Sequence, residues 1–437
     1  MPDRTGVVRW LSVLGIVAAF SSAEAADWSR FRGPNGSAVS DAHGVPTEWS
    51  DSKNLAWKTE LPGPGSSSPI IVGDRVFVTC FSGYGYGSGR GAAGDIKQLQ
   101  RHLVCVSLKD GKILWDKSVT SKQPEESYNR MLGEHGYATS TPVSDGEQVF
   151  VFFGASGVLA FDLEGQQLWQ ANVSDGSTRS KMGWGSASSP ILYRNTVIVN
   201  AAAEAKSLIA LDTKTGKQAW RSDATSIHGS WSTPVLVEAP QGKTELVLNA
   251  PFEVWGFDPS NGDFLWFAEG VQDENVCGSV VANDGIVYAI GGRSGSAVAV
   301  KVGGRDDVSK SHTVWKKSLR SYIPSPVVTG DFILSVNNDN AVLSGLDRKS
   351  GEQLFQQRLG GEGGVYASPI VIDGKVYVVT RRGGTIVADI AGSRVNVISE
   401  NKFDDESDFN ASPAVTDGKL FLRSNRALYC IANKSQK

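Results

Sequence analysis

Short apolar runs separated by tight turns recur along the whole chain. In SPIVIDGKVYVVT, two apolar runs flank Asp373-Gly374, the pattern of two strands joined by a short hairpin. Similar turns fall at Gly73-Asp74, Asp145-Gly146, Asp284-Gly285, Gly330-Asp331 and Asp417-Gly418. A second pattern follows each hairpin. In ALDTKTGKQAW, residues 210–220, a small residue and an apolar one precede Asp212, a turn closes at Gly216, and an apolar approach leads to Trp220. Asp212 can hydrogen-bond the turn backbone, and Gly216 can take the positive φ that closes it. The pattern returns at 106–115 (VSLKDGKILW), 160–169 (AFDLEGQQLW), 256–266 (GFDPSNGDFLW) and 345–355 (GLDRKSGEQLF), and more loosely at 299–315. No amphipathic helix of useful length appears.

A third marker fixes the period. Each unit opens with small residues ending in Ser-Pro or Thr-Pro, at Pro69, Pro142, Pro190, Pro234, Pro326, Pro369 and Pro413, while the slot at 280 reads CGSV with Val280 in place of Pro. Successive spacings are 73, 48, 44, 46, 46, 43 and 44 residues, which makes eight units. The long first spacing reflects a Gly-rich insertion at 82–101 and a charged connection at 118–136. Residues 54–61 (NLAWKTEL) match the Trp-bearing last strand of a unit but follow no unit, and the unit at 409–433 stops before its Trp strand. Together the two fragments complete one unit. The expected fold is therefore all-β: an eight-bladed β-propeller of four-stranded blades over 54–433, closed by an N-terminal strand completing the last blade. An open row would leave edges that invite aggregation. Residues 26–53 are Gly/Pro-rich without a period and are expected to form an ordered arm rather than a strand, and 434–437 a short tail.

Composition and charge narrow the class. The chain has 437 residues, 40% hydrophobic and 20% charged, with 49 Gly, as expected of a turn-rich globular domain. A net charge of −3 provides no strong field for nucleic acid or anionic membrane. Arg4 and Arg9 precede the apolar run 10–20, and Ala23-Glu24-Ala25 offers a small-x-small cleavage site. Residues 1–25 thus read as a cleaved signal peptide whose apolar run is too short to span a bilayer. A secreted or periplasmic protein is expected, without a lipid anchor because no Cys stands near the cleavage site. Cys105 and Cys430 occupy the small-residue slot held elsewhere by Ala160, Ala210 and Gly345, and Cys80 and Cys277 lack evident partners. Four free thiols are expected.

The ALDxxTGxxxW repeat resembles that of the pyrroloquinoline-quinone (PQQ) family of eight-bladed propellers, and the resemblance covers nearly the whole chain from Asn54. The family includes quinoprotein alcohol and sugar dehydrogenases. It also includes non-catalytic propellers, among them the propeller subunit of the outer-membrane barrel-assembly machinery, the closest in class. The resemblance implies that Trp57, Trp115, Trp169, Trp220, Trp266 and Trp315 dock one blade on the next. It implies two functional readings. One is a non-catalytic exported scaffold that binds a protein partner or small ligand. The alternative is a PQQ-dependent dehydrogenase, in which the quinone stacks between a Trp and a disulfide of adjacent cysteines, beside a Ca²⁺ held by Glu, Asn and Asp. This chain has no Cys-Cys pair and no CxxCH haem site; Glu274, Asn275, Asp405 and Asp408 are available, without a motif assigning them.

Other chemistry is thin. No G-x-S-x-G elbow occurs, the five histidines show no metal-ligand spacing, and the Gly-rich GSGRGAAG lacks the GK[ST] of a phosphate loop. The remaining constellation lies just before each opening marker. In a propeller these segments ring one mouth of the central channel. They carry His135, Tyr137, Trp184, His228, Trp231, Glu274, Asn275, Tyr322, Glu362, Tyr366, Asp408 and Asn410. Trp184 and Trp231 fall outside the packing period. Such a funnel of aromatics and polar groups can hold a small molecule, a saccharide or a protein partner; equally, the side chains can simply plug the channel. A monomer without nucleic-acid partners is expected.

Overall fold

The computed structural model describes residues 28–85, 94–129, 131–174, 183–382 and 384–433. The proposed signal peptide at 1–25, residues 86–93 of the 82–101 insertion and the tail at 434–437 lie outside the described residues. Eight antiparallel sheets form eight blades. Blade 1 runs Ile70–Val72, Arg75–Ser82, Gln100–Ser107 and Ile113–Thr120 from the channel outward. Its short inner strand is buried throughout, whereas the outer strand is largely exposed. That gradient explains the sequence pattern. Inner strands are packed on both faces and read as continuous apolar runs, while the outer strand meets solvent and shows mixed character.

Ring closure follows the expected route. Leu55–Glu60 pairs antiparallel with Ala427–Ile431, with Trp57 opposite Cys430 and Glu60 opposite Ala427. It thereby becomes the outermost strand of blade 8, whose inner strands are Ala414–Thr416 and Lys419–Arg423. All four cysteines are free.

The repeat's Trp and Gly lock neighbouring blades together. Gly111, Gly165, Gly216, Gly262 and Gly351 all have φ between 69° and 83°. Each lies beneath the ring of the preceding blade's Trp: Trp57, Trp115, Trp169, Trp220 and Trp315, respectively. A Cβ at any of them would lie 2.5–2.8 Å from that ring. The positive φ and the close approach both require glycine. Each of these indole N–H groups donates to a carbonyl of the following blade, as in Trp169 Nε1 to Thr213 O at 2.8 Å. Trp266 differs. Its indole donates to the buried Glu245 carboxylate at 2.7 Å, and the loose copy that follows adds the strand Asp306–Asp307 to the edge of blade 4, with Asp306 opposite Trp266.

The opening markers have a structural role that their sequence hides. The Ser or Thr before each marker Pro (and before Val280) is buried: Ser68, Thr141, Ser189, Thr233, Ser279, Ser325, Ser368 and Ser412. From blade to blade, the backbone N–H of one donates to the hydroxyl of the next at 2.8–3.0 Å, in seven consecutive bonds from Ser68 N round to Ser412 Oγ. The Pro that follows has no N–H, so the channel-facing strand edge starts with one donor fewer to satisfy.

The 26–53 arm departs from expectation. It contains a strand, Val39–Ser40, which pairs in parallel with the inner strand Ile370–Ile372 of blade 7. Before that strand, the chain enters the channel itself. Ile71 N donates to Trp28 O, Ser144 N to Ser29 O and Val371 N to Ala38 O, so the arm touches the inner strands of blades 1, 2 and 7. The inner edges of propeller blades expose unpaired backbone groups, and the arm satisfies several of them. Local sequence shows no period here because the partners come from all round the ring.

Candidate functional site

Eight inner strands begin at one end of the ring, and the second strand of each blade returns there. Both the segments before the markers and the turns between second and third strands therefore meet at this mouth. They enclose a cavity of about 580 Å³ whose lining includes belt hydroxyls and Phe31 of the arm. Of the twelve residues singled out from sequence, His135, Trp184, Trp231, Tyr322, Tyr366 and Asn410 line it. Trp184 and Trp231 are half-buried and stacked, with centroids 5.4 Å apart and planes 30° from parallel. Trp231 Nε1 donates to Gly185 O at 2.8 Å. They form a wall of the mouth, whose lining also includes Phe31 of the arm.

The other six lie elsewhere. Tyr137 is buried under Phe81, Tyr84 and Tyr128, its hydroxyl donating to Glu126 O at 2.6 Å. It borders a second cavity, beside the buried Arg101–Glu125 ion pair. His228 follows the short helix Thr225–Ile227 and is not part of the mouth lining. Glu274 and Glu362 are exposed outside the cavity, and Asn275 is half-buried behind it. Asp408 is held in an ion cluster with Arg381 and Arg382 of blade 7. Asn275 and Asp408 stand two residues before the lining positions Cys277 and Asn410, His228 and Glu274 three before Trp231 and Cys277, and Tyr137 two after His135.

That ion cluster braces one half of the mouth. Arg381 Nη1 pairs with Glu134 at 2.9 Å and Nη2 with Asp408 at 3.2 Å, while Nε donates to Asn410 Oδ1 at 3.0 Å. Its guanidinium lies 4.0 Å from the Tyr366 ring, and Tyr366 donates to Glu134 at 3.1 Å. Asn410 Nδ2 closes the circuit on Glu134 O at 2.9 Å. Glu134 precedes blade 2, Arg381 and Tyr366 belong to blade 7, and Asp408 and Asn410 precede blade 8, so the cluster spans the point of ring closure. Burial pushes the Tyr366 hydroxyl up to about 12.

The opposite half is open. Arg293 lies 4.9 Å from the Tyr322 ring and 5.8 Å from Trp184, and it has no ion pair among the described residues. Arg320 is exposed on the same rim. The Tyr322 hydroxyl is buried without an oxygen or nitrogen partner; the Cys277 thiol lies against it, raised to about 12 by burial. His135 joins the halves. Its Nε2 is 2.7 Å from Trp184 O, and because a carbonyl only accepts, that nitrogen carries the proton. Nδ1 faces Thr139 Oγ1 at 2.6 Å. Burial holds the imidazole below its ordinary 6.5, so the ring is neutral at pH 7.

Sequence reasoning missed Arg293, Arg381 and the Asn337–Asn338–Asp339 turn. All lie between second and third strands. The signal was available, since strand alternation puts these turns at the same end as the opening markers.

The residues available for a quinone and its Ca²⁺ do not converge. Glu274 is exposed, Asp408 is paired with Arg381 and Arg382, and Asp405 is bound into its own buried network with Ser407, Ser424 and Tyr429. No group of three or more His, Cys, Asp or Glu placed to hold a metal occurs among the described residues. A hard cation needs six or more oxygens, and these positions do not fit it.

The model of the family described as outer membrane protein assembly factor BamB matches residues 5–186 and again 165–357. The chain belongs to this family. No curated protein matches it. BamB from Moraxella catarrhalis superposes with a TM-score of 0.56 at 15% identity, over 88% of this chain and 96% of that one. A europium-containing methanol dehydrogenase gives 0.67 at 10% identity, over 93% and 98%. The quinohemoprotein alcohol dehydrogenase ADHIIG from Pseudomonas putida HK5 gives 0.60 at 10%, over 94% and 81%. At these identities the likeness is one of fold alone. Among the described residues no helix is long and apolar enough to cross a membrane.

Proposed function

We propose that this chain is an exported binding propeller of the cell envelope whose mouth holds a small ligand, and not a quinoprotein dehydrogenase. The observation that carries this reading is the open half of the mouth: a stacked Trp184–Trp231 wall, Tyr322 and an unpaired Arg293 facing a cavity of about 580 Å³. That volume falls in the range of small-molecule sites, which combine apolar walls with a few placed polar groups. The acidic side chains that a quinone-associated cation would need are scattered or neutralised. A role in outer-membrane assembly, which the family's description names, would use the same ring as a scaffold.

The test uses the tryptophans as reporters. Fluorescence of the purified chain is followed against a panel of saccharides, aromatic acids and amines, and against PQQ with Ca²⁺. Saturable quenching by a panel member, lost in Trp231→Ala, supports the reading. Stoichiometric PQQ uptake with Ca²⁺-dependent dye reduction by alcohols would replace it with the dehydrogenase.

A further inference from the structure

The tip of the arm places two arginines in the channel under the mouth. Arg30 Nη2 donates to Pro234 O at 3.3 Å, and Arg32 Nη2 donates to Pro326 O. These carbonyls belong to blades 4 and 6, one residue beyond belt residues Thr233 and Ser325. The two guanidinium groups therefore lie next to the hydroxyl belt, on the residues that flank Phe31 in sequence, and Phe31 lines the cavity.

Neither charge is neutralised by protein. Arg30 is 9% and Arg32 2% exposed, and no carboxylate pairs with either among the described residues. Arg30 Nε, Arg32 Nε and Arg32 Nη1 have no hydrogen-bond partner. Burial lowers Arg30 to about 10 and, with Arg30 beside it, Arg32 to about 9; both remain charged at pH 7. Two like charges buried in a channel are costly unless an opposite charge accompanies them. The backbone is also strained to hold them there. Arg32 has φ 63°, and Asn35 and Ala38 are likewise left-handed at 49° and 57°. Such outliers persist where surrounding structure or function imposes them. A plug needed only to fill space would be met by apolar side chains of the same size, without the charge.

We propose that the channel beneath Phe31 is an oxyanion site in which Arg30 and Arg32 bind either an inorganic oxyanion or the carboxylate of a ligand seated in the mouth. Guanidinium groups suit this chemistry because their planar donors match the spacing of phosphate and carboxylate oxygens. The prolyl carbonyls of blades 4 and 6 hold the arginines in place, and the arm delivers both from one short segment. The carboxylate source, and only that source, rests on the mouth-ligand reading above.

The test is calorimetric titration of the full chain with inorganic phosphate and, separately, with benzoate, at fixed ionic strength in HEPES. At least one binds with one-to-one stoichiometry. Arg30→Met and Arg32→Met each weaken it by roughly tenfold or more, as expected for charge-assisted hydrogen bonds. Phosphate binding unaffected by Trp231→Ala identifies an enclosed inorganic ion. Benzoate binding alone, weakened also by Trp231→Ala, identifies the carboxylate of a mouth ligand. Wild-type melting temperature gives a check that needs no variant: it rises with whichever anion binds. No binding and a flat melting response with both anions overturn the proposal. Binding lost in Trp231→Ala but unchanged in both arginine variants also overturns it, and leaves the mouth-ligand reading standing.

Discussion

On one side of the mouth, Arg381 is saturated: two carboxylates, an amide oxygen and an aromatic face surround it. On the other, Arg293 lies on two aromatic rings and pairs with no carboxylate among the described residues. Both arginines occupy the same kind of position, the turn between the second and third strands of a blade. What differs is the neighbouring blade. Beside Arg381, the segments before blades 2 and 8 offer Glu134, Asp408 and Asn410. Beside Arg293, the segments before blades 3, 4 and 6 offer Trp184, Trp231 and Tyr322. A paired cation with satisfied donors holds structure together, while an unpaired one over aromatic rings remains available to something else. The ring thus braces one half of its mouth with ion pairs and leaves the arginine of the other half unpaired among the described residues.

The most severe way to break this division is to remove the closing strand. Deleting residues 54–61 strips the outer edge from blade 8 and with it the alignment of blades 7, 8 and 1 that the Arg381 cluster needs. The expected outcome is loss of monodisperse protein in size-exclusion chromatography, since an unpaired strand edge recruits other chains. A soluble monomer with native circular dichroism would show that the ring closes without it.

Arg381→Ala should attack the braced half alone. It leaves Asp408 and Glu134 without their main partner; because Glu134 is 40% exposed, solvent screening reduces the cost to about 2 kcal/mol rather than the larger values of fully buried pairs. Denaturant unfolding measures it, and binding at the open half should change little. Trp231→Ala should do the reverse, weakening ligand binding by roughly thirtyfold, the ~2 kcal/mol typical of an aromatic anchor, with a smaller loss of stability because the ring is only half-buried. If the losses were interchanged, the assignment of the two halves would be wrong.

Arg293→Met sharpens the comparison. Removing an exposed, unpaired charge should shift stability by no more than about 0.5 kcal/mol, yet it should weaken an anionic ligand. The smallest effect belongs to His135, which bridges the halves. Its folded-state pKa is below the unfolded value, so the unfolded chain takes up the proton first, and stability is lost as pH falls below about 6.5. Melting temperature between pH 7 and 5 should decline less steeply in His135→Gln than in wild type.

The sequence by itself determined the ring: eight units, their strand order and the closing strand at 54–61 all follow from local periodicity, and the family resemblance implied the interblade role of the repeated Trp. Such features repeat, and each repeat carries its own evidence. Trp184 and Trp231 could also be placed at the mouth, because they break the period at a known register. Tertiary structure decided what does not repeat. The path of residues 28–40 through the channel depends on partners in blades 1, 2, 4, 6 and 7, far apart in the chain, so no window of sequence contains it. Likewise, Asp408 reads as an available acid until Arg381, from a turn whose position only strand alternation reveals, neutralises it. Even the Ser/Thr before each Pro, visible as a marker, became a hydrogen-bonded belt only when ring closure set each unit beside the next.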